Sequence, residues 1–327
     1  MKILFSSHRF PPDIGGIEEV GSLLAREFTR RGHEVIVVTQ SRGEALLDYE
    51  VRRRPKLPEL AGLTRWSDVV FHNNLSLRTA WPLIGIRKPW VVAHHTWIAR
   101  MDGRRAPADR LKLRVIHAAR NIAVSRAIAA ALGVPARVIA NPYRDDLFRQ
   151  TNQGARGGEV IFLGRLVSDK GADLLLEALA MAGARATIVG DGPERASLEA
   201  RARELGLDAH FAGALRGEEL VAALNHHKLL AVPSCWEEPF GIVALEAMAC
   251  GCVPVVAQSG GLPGAVGDAG VIFEKGNANA LADALRQLLA DDARLSDLRA
   301  KAGAQLARHR PAVIASQYLE VLEEAAR

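Results

Sequence analysis

The stretch that decides the fold is Pro233-Ser234-Cys235-Trp236-Glu237-Glu238-Pro239-Phe240-Gly241-Ile242-Val243-Ala244-Leu245-Glu246-Ala247-Met248-Ala249-Cys250-Gly251. It follows the apolar run 229–232, which predicts a buried strand. Proline and acidic residues then predict a turn. A helix is predicted to start near Phe240 and to stop at Gly251, a residue that suits a left-handed C-cap. Glu238 and Glu246 are a little over two helical turns apart, so Glu246 should lie roughly above Glu238.

The N-terminus of this predicted helix is a candidate anion site. The backbone N–H groups of Phe240, Gly241 and Ile242 would have no partner within the helix and would carry the positive end of its dipole. Such an end binds phosphate, and Gly241 has no Cβ to keep a ligand away. Two spaced glutamates alone would rather indicate a buried amphipathic helix with capping or surface carboxylates, so further motifs are needed to decide.

The composition favours a soluble globular protein of two domains, because 327 residues are many for one core and 49% of them are hydrophobic and 24% charged. No run reaches the roughly 18 apolar residues of a membrane span. The segment Met1-Lys2-Ile3-Leu4-Phe5 enters a predicted strand directly, without the features of a signal peptide, so we expect a cytoplasmic protein. The cysteines Cys235, Cys250 and Cys252 form no evident disulfide framework or metal-ligand set.

Charge is distributed unevenly along the chain. Residues 1–150 contain 25 Lys and Arg against 14 Asp and Glu, a net +11, whereas the remainder has 17 against 23, a net −6. A basic first half predicts an anionic partner. Because no zinc-finger, aromatic RNA-binding or helix-turn-helix signature occurs, a phosphorylated acceptor or an anionic membrane surface is favoured over nucleic acid.

Two basic stretches are candidates for such a surface, although a solvated helix face is at least as good an interpretation of the first. The first stretch contains Arg100, Arg104, Arg105, Arg110, Lys112 and Arg114. The second is the run 52–56.

Short apolar runs alternate with helical patterns, which predicts an α/β protein with parallel sheets and helices on both faces. The predicted strands are 3–7, 35–40, 69–73, 90–94, 122–125 and 137–141, then 160–165, 186–191, 210–213, 229–234, 253–258 and 270–273. The segment 141–158, with its proline and glycines, is a predicted linker. We therefore expect two doubly wound, Rossmann-like domains facing each other across a cleft, with ligands at the carboxyl ends of the strands.

Three further loops carry candidate chemistry. The pair Gly15 and Gly16 precedes a helix and would let phosphate or sugar approach, or serve only as a turn. His94 and His95 end a predicted strand, and alternation predicts that only one of them faces inward. In the loop 164–171, Arg165 offers a planar fork and Lys170 a point charge for phosphate oxygens; the alternative is a structural ion pair.

The string E-P-F-G-I-V-A-L-E-A-M-A-C-G, which starts at Glu238, resembles the signature of the family-4 retaining glycosyltransferases, or glycosyl transferases group 1. The strings G-R-L-V-S-D-K-G at 164–171 and V-G-D-G-P at 189–193, and the P-P and G-G between 11 and 16, are similar to further motifs of that family. The resemblance covers nearly the whole chain and is strongest in its second half. It implies the GT-B fold.

Carried over to this chain, the resemblance implies that Glu246 binds the ribose and that Glu238 lies beside the transferred sugar. His95, with Thr96, would contact that sugar, and His94 remains the alternative because the register is uncertain by one residue. The remaining implied donor-binding residues are Gly15, Gly16, Gly190, Gly192, Leu215, Phe240, Gly241 and Ile242. The chain departs from the family's pattern at Gly264, where an acidic residue is common, and at 309–311, where an aromatic pair is frequent.

The implied activity is a retaining hexosyl transfer from a nucleotide diphosphate-sugar to a cell-envelope glycan or lipid-linked saccharide, without a cofactor. Residues 1–145 would form the acceptor domain and 155–306 the nucleotide-sugar domain, with a C-terminal helix over 311–327 crossing back to the first. No Asp-x-Asp metal motif occurs at a strand end, so Arg165, Lys170 and helix N-termini are expected to stabilise the leaving phosphates without a metal.

Glu238 could act as a nucleophile, or the acceptor could attack on the face that the phosphate leaves. An epimerase or hydrolase of the same fold and a non-catalytic subunit remain alternatives. A dehydrogenase is disfavoured because 8–17 lacks G-x-G-x-x-G.

Overall fold

A computed structural model of the protein describes residues 1–99, 106–151 and 156–327. The chain forms two compact units, the first made of Met1–Pro142 with Arg310–Arg327 and the second of Tyr143–His309. Within the described residues, no helix is both long enough and apolar enough to span a bilayer. The predicted basic residues Arg100, Arg104 and Arg105 and part of the predicted linker lie outside the described residues.

The first unit is a parallel sheet covered by helices. Its strands are β1 (Lys2–Ser7), β2 (Glu34–Thr39), β3 (Glu50–Arg53), β4 (Val69–Asn73), β5 (Trp90–His94), β6 (Arg120–Ala123) and β7 (Ala136–Val138). Its helices are α1 (Gly16–Arg30), α2 (Leu57–Trp66), α3 (Leu77–Ala80), α4 (Pro107–Val115), α5 (Arg126–Leu132) and, from the far end of the sequence, α13 (Pro311–Ala326). The strand order is β3-β2-β1-β4-β5-β6-β7.

The second unit repeats this plan with six strands. They are β8 (Gly158–Leu163), β9 (Ala186–Val189), β10 (Ala209–Gly213), β11 (His227–Val232), β12 (Val253–Ala257) and β13 (Val271–Phe273). The helices are α6 (Ala172–Ala182), α7 (Arg195–Glu204), α8 (Gly217–His226), α9 (Ile242–Ala249), α10 (Leu262–Val266), α11 (Ala278–Leu289) and α12 (Asp292–Arg308). The strand order is β10-β9-β8-β11-β12-β13.

Both sheets are doubly wound, because the chain starts in the middle, builds one side and then returns to build the other. Each order therefore reverses once, between β1 and β4 in the first unit and between β8 and β11 in the second. All strand pairs around these points are parallel. In doubly wound sheets, ligands bind outside the carboxyl ends of the strands at this switch point. The loops that follow β8 and β11 are thus the first place to look for a site.

Burial on both faces explains why the central strands could be predicted from sequence. Every residue of β4, Val-Val-Phe-His-Asn, is buried, and its bounds are those that the apolar run predicted. The core of the first unit is aromatic: Phe5 and Phe71 meet edge to face with centroids 4.8 Å apart, and Phe71 meets Tyr318 of α13 at 5.8 Å. Helix α13 accordingly packs against α1, β4 and β5.

Strand β3 was not predicted. Its sequence Glu-Val-Arg-Arg lies at the sheet edge, where charged residues are common and burial is low. Arg52 forms an ion pair with Glu50 at 2.6 Å, and the guanidinium of Arg53 donates to the carbonyl oxygen of Pro11 at 2.7 Å. These two arginines of the run 52–56 therefore have partners within the first unit, and the contribution of this run to a docking surface stays a prediction.

Candidate active site

Two loops meet at the switch point of the second sheet: 164–171, after β8, and 233–241, after β11. The carbonyl oxygen of Asp169 accepts hydrogen bonds from the backbone N–H groups of Cys235, at 3.0 Å, and Trp236, at 3.2 Å. Gly171 has φ 68°, and a Cβ there would lie 2.1 Å from the carbonyl oxygen of Pro233. Only glycine permits this approach, so the two loops are held against each other by backbone contacts.

The contact between these loops brings Lys170 and Glu238 together. The Lys170 ammonium lies 2.5 Å from Oε1 of Glu238, and the side chains are 24% and 13% exposed. The hydroxyl of buried Ser234 donates to the same oxygen at 2.7 Å. Glu238 is therefore a fixed, charge-paired carboxylate at the sheet switch point. Lys170 takes part in an ion pair, the alternative considered from sequence, yet only one ammonium hydrogen has a partner among the described residues.

Arg165 has a different setting. The predicted strand 160–165 ends at Leu163, so Arg165 lies in the loop, where it is exposed. Among the described residues its guanidinium has no ion-pair or hydrogen-bond partner, whereas Leu166 beside it donates its N–H to the carbonyl oxygen of Asp191 at 2.9 Å. The backbone is thus fixed while the cation remains available for a ligand.

Gly190 and Gly192, in the loop after β9, lie too close to neighbouring backbone for any residue with a Cβ to replace them. A Cβ on Gly190 would lie 1.8 Å from the carbonyl oxygen of Gly164, and one on Gly192 would lie 2.2 Å from that of Leu166. The N–H of Gly190 donates to Gly213 at the end of β10, at 2.8 Å. The loops after β8, β9 and β10 therefore lie edge to edge. Leu215 is half-buried in the segment between β10 and α8.

A third loop, 258–261 after β12, forms hydrogen bonds with the backbone of Glu238 and with the side chain of Glu237. The backbone N–H of Gly261 donates to the carbonyl oxygen of Glu238 at 2.7 Å. The carboxylate of Glu237 accepts from the N–H of Gly260 at 2.7 Å and from Lys275. The Lys275 hydrogen bond is the main cause that lowers the pKa of Glu237. This clamp was not predicted, although the doubled glutamate could have drawn attention to Glu237.

Helix α9 begins at Ile242, which corrects its predicted start near Phe240. Gly241 precedes it with φ 104° and ψ 58°, outside the helical region, so the first-turn amides are those of Ile242 and Val243. The ring of Phe240 is buried and packs on His309 with centroids 5.6 Å apart, so its side chain belongs to the core. Glu246 lies on α9 and is 8% exposed.

In the first unit, Gly15 and Gly16 follow β1 at the other switch point. Gly15 caps α1 with φ 168° and ψ 163°, ordinary extended backbone. A Cβ there would lie 2.4 Å from a carboxylate oxygen of Glu18, which covers the glycine. The side-chain amide of Asn73, at the end of β4, donates to the carbonyl oxygen of Ile17 at 3.0 Å and so links the end of β4 to the first turn of α1.

The paired histidines differ in their hydrogen-bond partners. His94 places Nε2 2.9 Å from Oδ1 of Asn121, whose amide nitrogen donates to two backbone carbonyls. His95 places Nδ1 3.0 Å from Oδ1 of Asn141 and donates its backbone N–H to Asn74 at 2.8 Å. Its Nε2 is buried without a hydrogen-bond partner among the described residues, and burial lowers its pKa to about 4. His95 thus combines a lowered pKa with a buried ring nitrogen, Nε2, that has no hydrogen-bond partner among the described residues.

Two doubly wound parallel sheets, with cationic and acidic loops at a switch point, define the GT-B class of fold. Residues 144–305, about half of the chain, match the family model described as "Glycosyl transferases group 1". The predicted α/β class and the family resemblance are confirmed.

Among curated proteins, the chain is 39% identical over 150 residues to the D-inositol 3-phosphate glycosyltransferase of Corynebacterium aurimucosum, a match that covers 41% of this chain and 35% of that protein. It is 38% identical over 151 residues to the GDP-mannose-dependent alpha-(1-6)-phosphatidylinositol monomannoside mannosyltransferase of Mycolicibacterium smegmatis, covering 41% and 39%. The match thus spans well under half of the length of these relatives.

Among solved structures, the chain resembles Anabaena Alr3699/HepE in complex with UDP. The TM-score is 0.85 at 24% identity, and the match covers 99% of this chain and 100% of that one. Alr3699/HepE has also been solved with UDP-glucose. At this level of identity the likeness shows the fold.

Proposed function

We propose that this chain is a retaining glycosyltransferase that moves a hexose from a nucleotide diphosphate-sugar to an acceptor. The observation that carries the proposal is the cluster at the switch point of the second sheet: Glu238 paired with Lys170 at 2.5 Å, beside a loop whose Arg165 has no partner among the described residues. When a diphosphate leaves a sugar, two cations can stabilise the negative charge that develops on the phosphates, and one oriented carboxylate can stabilise the positive charge on the sugar. The match to the family model and the UDP and UDP-glucose complexes of Alr3699/HepE support the same donor class.

In this proposal, the difficult step is loss of the nucleotide diphosphate, which leaves an oxocarbenium-like sugar. Arg165 and Lys170 stabilise the charge that develops on the phosphates, and the first-turn amides of α9 add the positive end of a helix dipole. Side-chain cations thereby take the role of a divalent metal, and no cofactor is needed. Glu238 lies beside the sugar, either as a nucleophile or as the group that steadies the cation during attack on the leaving-group face.

The remaining residues bind the donor. Glu246 takes the ribose hydroxyls, and the backbone around Gly190, Gly192 and Leu215 and at 240–242 lines the nucleotide. From the first unit, the backbone of Gly15 and Gly16 serves the phosphates and His95 serves the transferred sugar. Because Oδ1 of Asn141 accepts from Nδ1 of His95, the free Nε2 is an acceptor for a sugar hydroxyl.

We assign the acceptor to residues 1–145, with the helix at 311–327, and the nucleotide-sugar to 155–306. The basic balance of the first half favours a phosphorylated or lipid-linked saccharide, as in assembly of a cell-envelope glycan, over nucleic acid. The same balance favours attachment of the protein to the anionic inner face of the cell membrane.

Ligand binding tests the donor assignment. UDP, GDP, ADP and their sugars are compared by thermal shift and calorimetry with EDTA present, since a ligand that binds the native state raises the melting temperature. We expect one diphosphate to bind in chelator. If no diphosphate binds, or if binding needs a divalent metal, the metal-free donor site is wrong.

Product analysis tests the reaction. We expect Glu238→Ala to depress kcat and the transferred sugar to keep its anomeric configuration by NMR. Turnover near that of the wild type would remove Glu238 from the mechanism. Release or conversion of the donor sugar at full rate without an acceptor would instead establish the hydrolase or epimerase alternative.

A further inference from the structure

The first unit contains an open groove that the proposed donor chemistry does not use. A cavity of about 650 Å³ lies between α3 with the turn that follows it, the start of β5, and α4. Of its twelve lining residues ten are apolar, Trp81 and Trp90 among them, two are the cations Arg87 and Lys88, and none is acidic. The volume is within the range of small-molecule sites, about 300–1,000 Å³. We call it the apolar groove.

Apolar side chains at the groove extend into solvent. Ile84 is 91% exposed and Leu111, on α4, is 46% exposed. Covering such surface is favourable by roughly 25 cal/mol per Å². A contiguous apolar patch of this kind marks a surface that meets another apolar phase. Since the exposed side chain of Ile84 lies at the rim, the groove suits contact with the interior of a bilayer better than the enclosure of a single acyl chain.

Positive charge surrounds the groove. Leu111 and Val115 line it from α4 one helical turn apart, and Arg110 and Arg114 form the neighbouring stripe, one residue before each. These two guanidiniums and that of Arg87 are exposed and have no ion-pair partner within 1–99, 106–151 and 156–327.

Acidic residues are scarce in the same region. From 69 to 99 the sequence contains no Asp or Glu. Asp109, the acidic residue of α4, lies 3.9 Å from Lys112. An apolar groove with a positive rim is complementary to an anionic amphiphile. An apolar partner without acidic groups fits less well, because the positive charges of the arginines would then have no negative charge beside them.

We propose that the apolar groove binds the anionic lipids of a bilayer, with acyl chains against Ile84 and Leu111 and headgroup phosphates at Arg87, Arg110 and Arg114. The proposal deepens the membrane part of the proposed function and rests on it for its biological meaning. One inserted acyl chain gives only marginal attachment, of the order of 10⁴ M⁻¹, so a basic patch is needed as a second signal. The groove supplies both signals, and tryptophan is the residue enriched at such interfaces.

Vesicle co-flotation of the full chain tests the proposal, with phosphatidylcholine vesicles that contain or lack phosphatidylglycerol. We expect binding only to the anionic vesicles, weakened by salt. Arg87→Glu should weaken it about thirtyfold, because each basic residue near the surface contributes about 1 kcal/mol and the reversal changes two charges. Ile84→Ser and Leu111→Ser should each weaken it about tenfold.

Matched controls are Leu46→Ser, which changes a fully exposed leucine outside the groove, and Arg42→Glu, which changes an exposed arginine outside it. Both should bind vesicles like the wild type. The proposal is overturned if groove variants and controls behave alike, if neutral vesicles bind equally, or if only monomeric short-chain phosphatidylglycerol binds, which would make the groove a site for single lipid molecules.

UDP binding separates this proposal from the donor assignment, since the proposed side-chain ligands of the diphosphate, Arg165 and Lys170, lie in the second unit and the groove in the first. Arg87→Glu should bind UDP like the wild type. Vesicle binding without UDP binding would support the groove and contradict the donor site. UDP binding without vesicle binding would overturn the groove alone.

Discussion

The two cations proposed for the diphosphate differ in their partners, and this difference makes a sharp prediction. Arg165 is exposed and has no ion-pair partner among the described residues, whereas Lys170 lies 2.5 Å from the Glu238 carboxylate. Replacing either by alanine should weaken UDP binding. Only replacement of Lys170 should also lower the stability of the fold.

The magnitudes follow from these settings. A hydrogen bond to a charged group contributes about 1.5–3 kcal/mol, so each loss should raise the Kd for UDP by about 10- to 150-fold. Arg165→Ala breaks no contact of the fold, and its free energy of unfolding should stay within about 0.5 kcal/mol of wild type. Lys170→Ala leaves a carboxylate that is only 13% exposed without its cation. That should cost about 1–3 kcal/mol, between the values for exposed and for buried pairs.

Calorimetry with UDP in EDTA and urea unfolding measure the two quantities separately. Arg203→Ala, at an exposed position of α7, is the matched control and should change neither. The double variant Lys170→Ala with Glu238→Gln should regain most of the lost stability, because the unpaired charge is removed. UDP affinity of Arg165→Ala equal to wild type, or full stability of Lys170→Ala, would refute the reasoning.

Three further predictions concern other regions. Burial lowers the pKa of His95 from 6.5 to about 4. The unfolded chain therefore binds the proton more tightly than the folded protein does. Because of this group, the free energy of unfolding should fall as the pH drops from 6.5 towards 4, by about 2 kcal/mol at about pH 5. Urea unfolding at a series of pH values should show a smaller dependence of the free energy of unfolding on pH for His95→Gln than for the wild type. In the folded protein only the thiol of exposed Cys235 should react with a disulfide reagent, because burial raises the pKa of Cys250 and Cys252 to about 12. All three thiols should react after unfolding, and reaction of all three in the folded protein would contradict this prediction. Gly303 is exposed within α12 with open space around its Cα, so Gly303→Ala should raise the free energy of unfolding by about 0.5–1 kcal/mol, and an unchanged urea midpoint would count against it.

The central strands were predictable because burial on both faces leaves a continuous apolar run, as at β4 and β5, whose bounds match the prediction. Strand β3 could not be predicted, since an edge strand such as Glu-Val-Arg-Arg is half exposed and satisfies no apolar pattern. Some predicted strands extend up to three residues past the observed ends: the strand predicted at 137–141 ends at Val138, and the one predicted at 160–165 ends at Leu163. The end of a strand depends on pairing with its neighbours in the sheet, which local sequence does not contain.

At the candidate site, sequence could indicate residues but not their pairing. Lys170 and Glu238 are 68 positions apart and meet only because β8 and β11 are neighbours in register. His94 and His95 are distinguished by their partners Asn121, in β6, and Asn141, beyond β7, and no local sequence pattern contains these contacts. The apolar groove was also beyond prediction, since three separate elements supply its wall.

The place of α13 in the first unit has a consequence for biosynthesis. Tyr318 and Leu322 of this helix are fully buried there, and Arg137 and Arg120 bind its glutamates Glu320 and Glu324. A ribosome delivers residues 310–327 only after it has released the whole of 143–309. The first unit, although its sheet is encoded first, therefore cannot complete its core until the whole of 143–309 has been synthesised. Until then the apolar face that Tyr318 and Leu322 will cover is exposed, and we expect a chaperone to bind the nascent chain there.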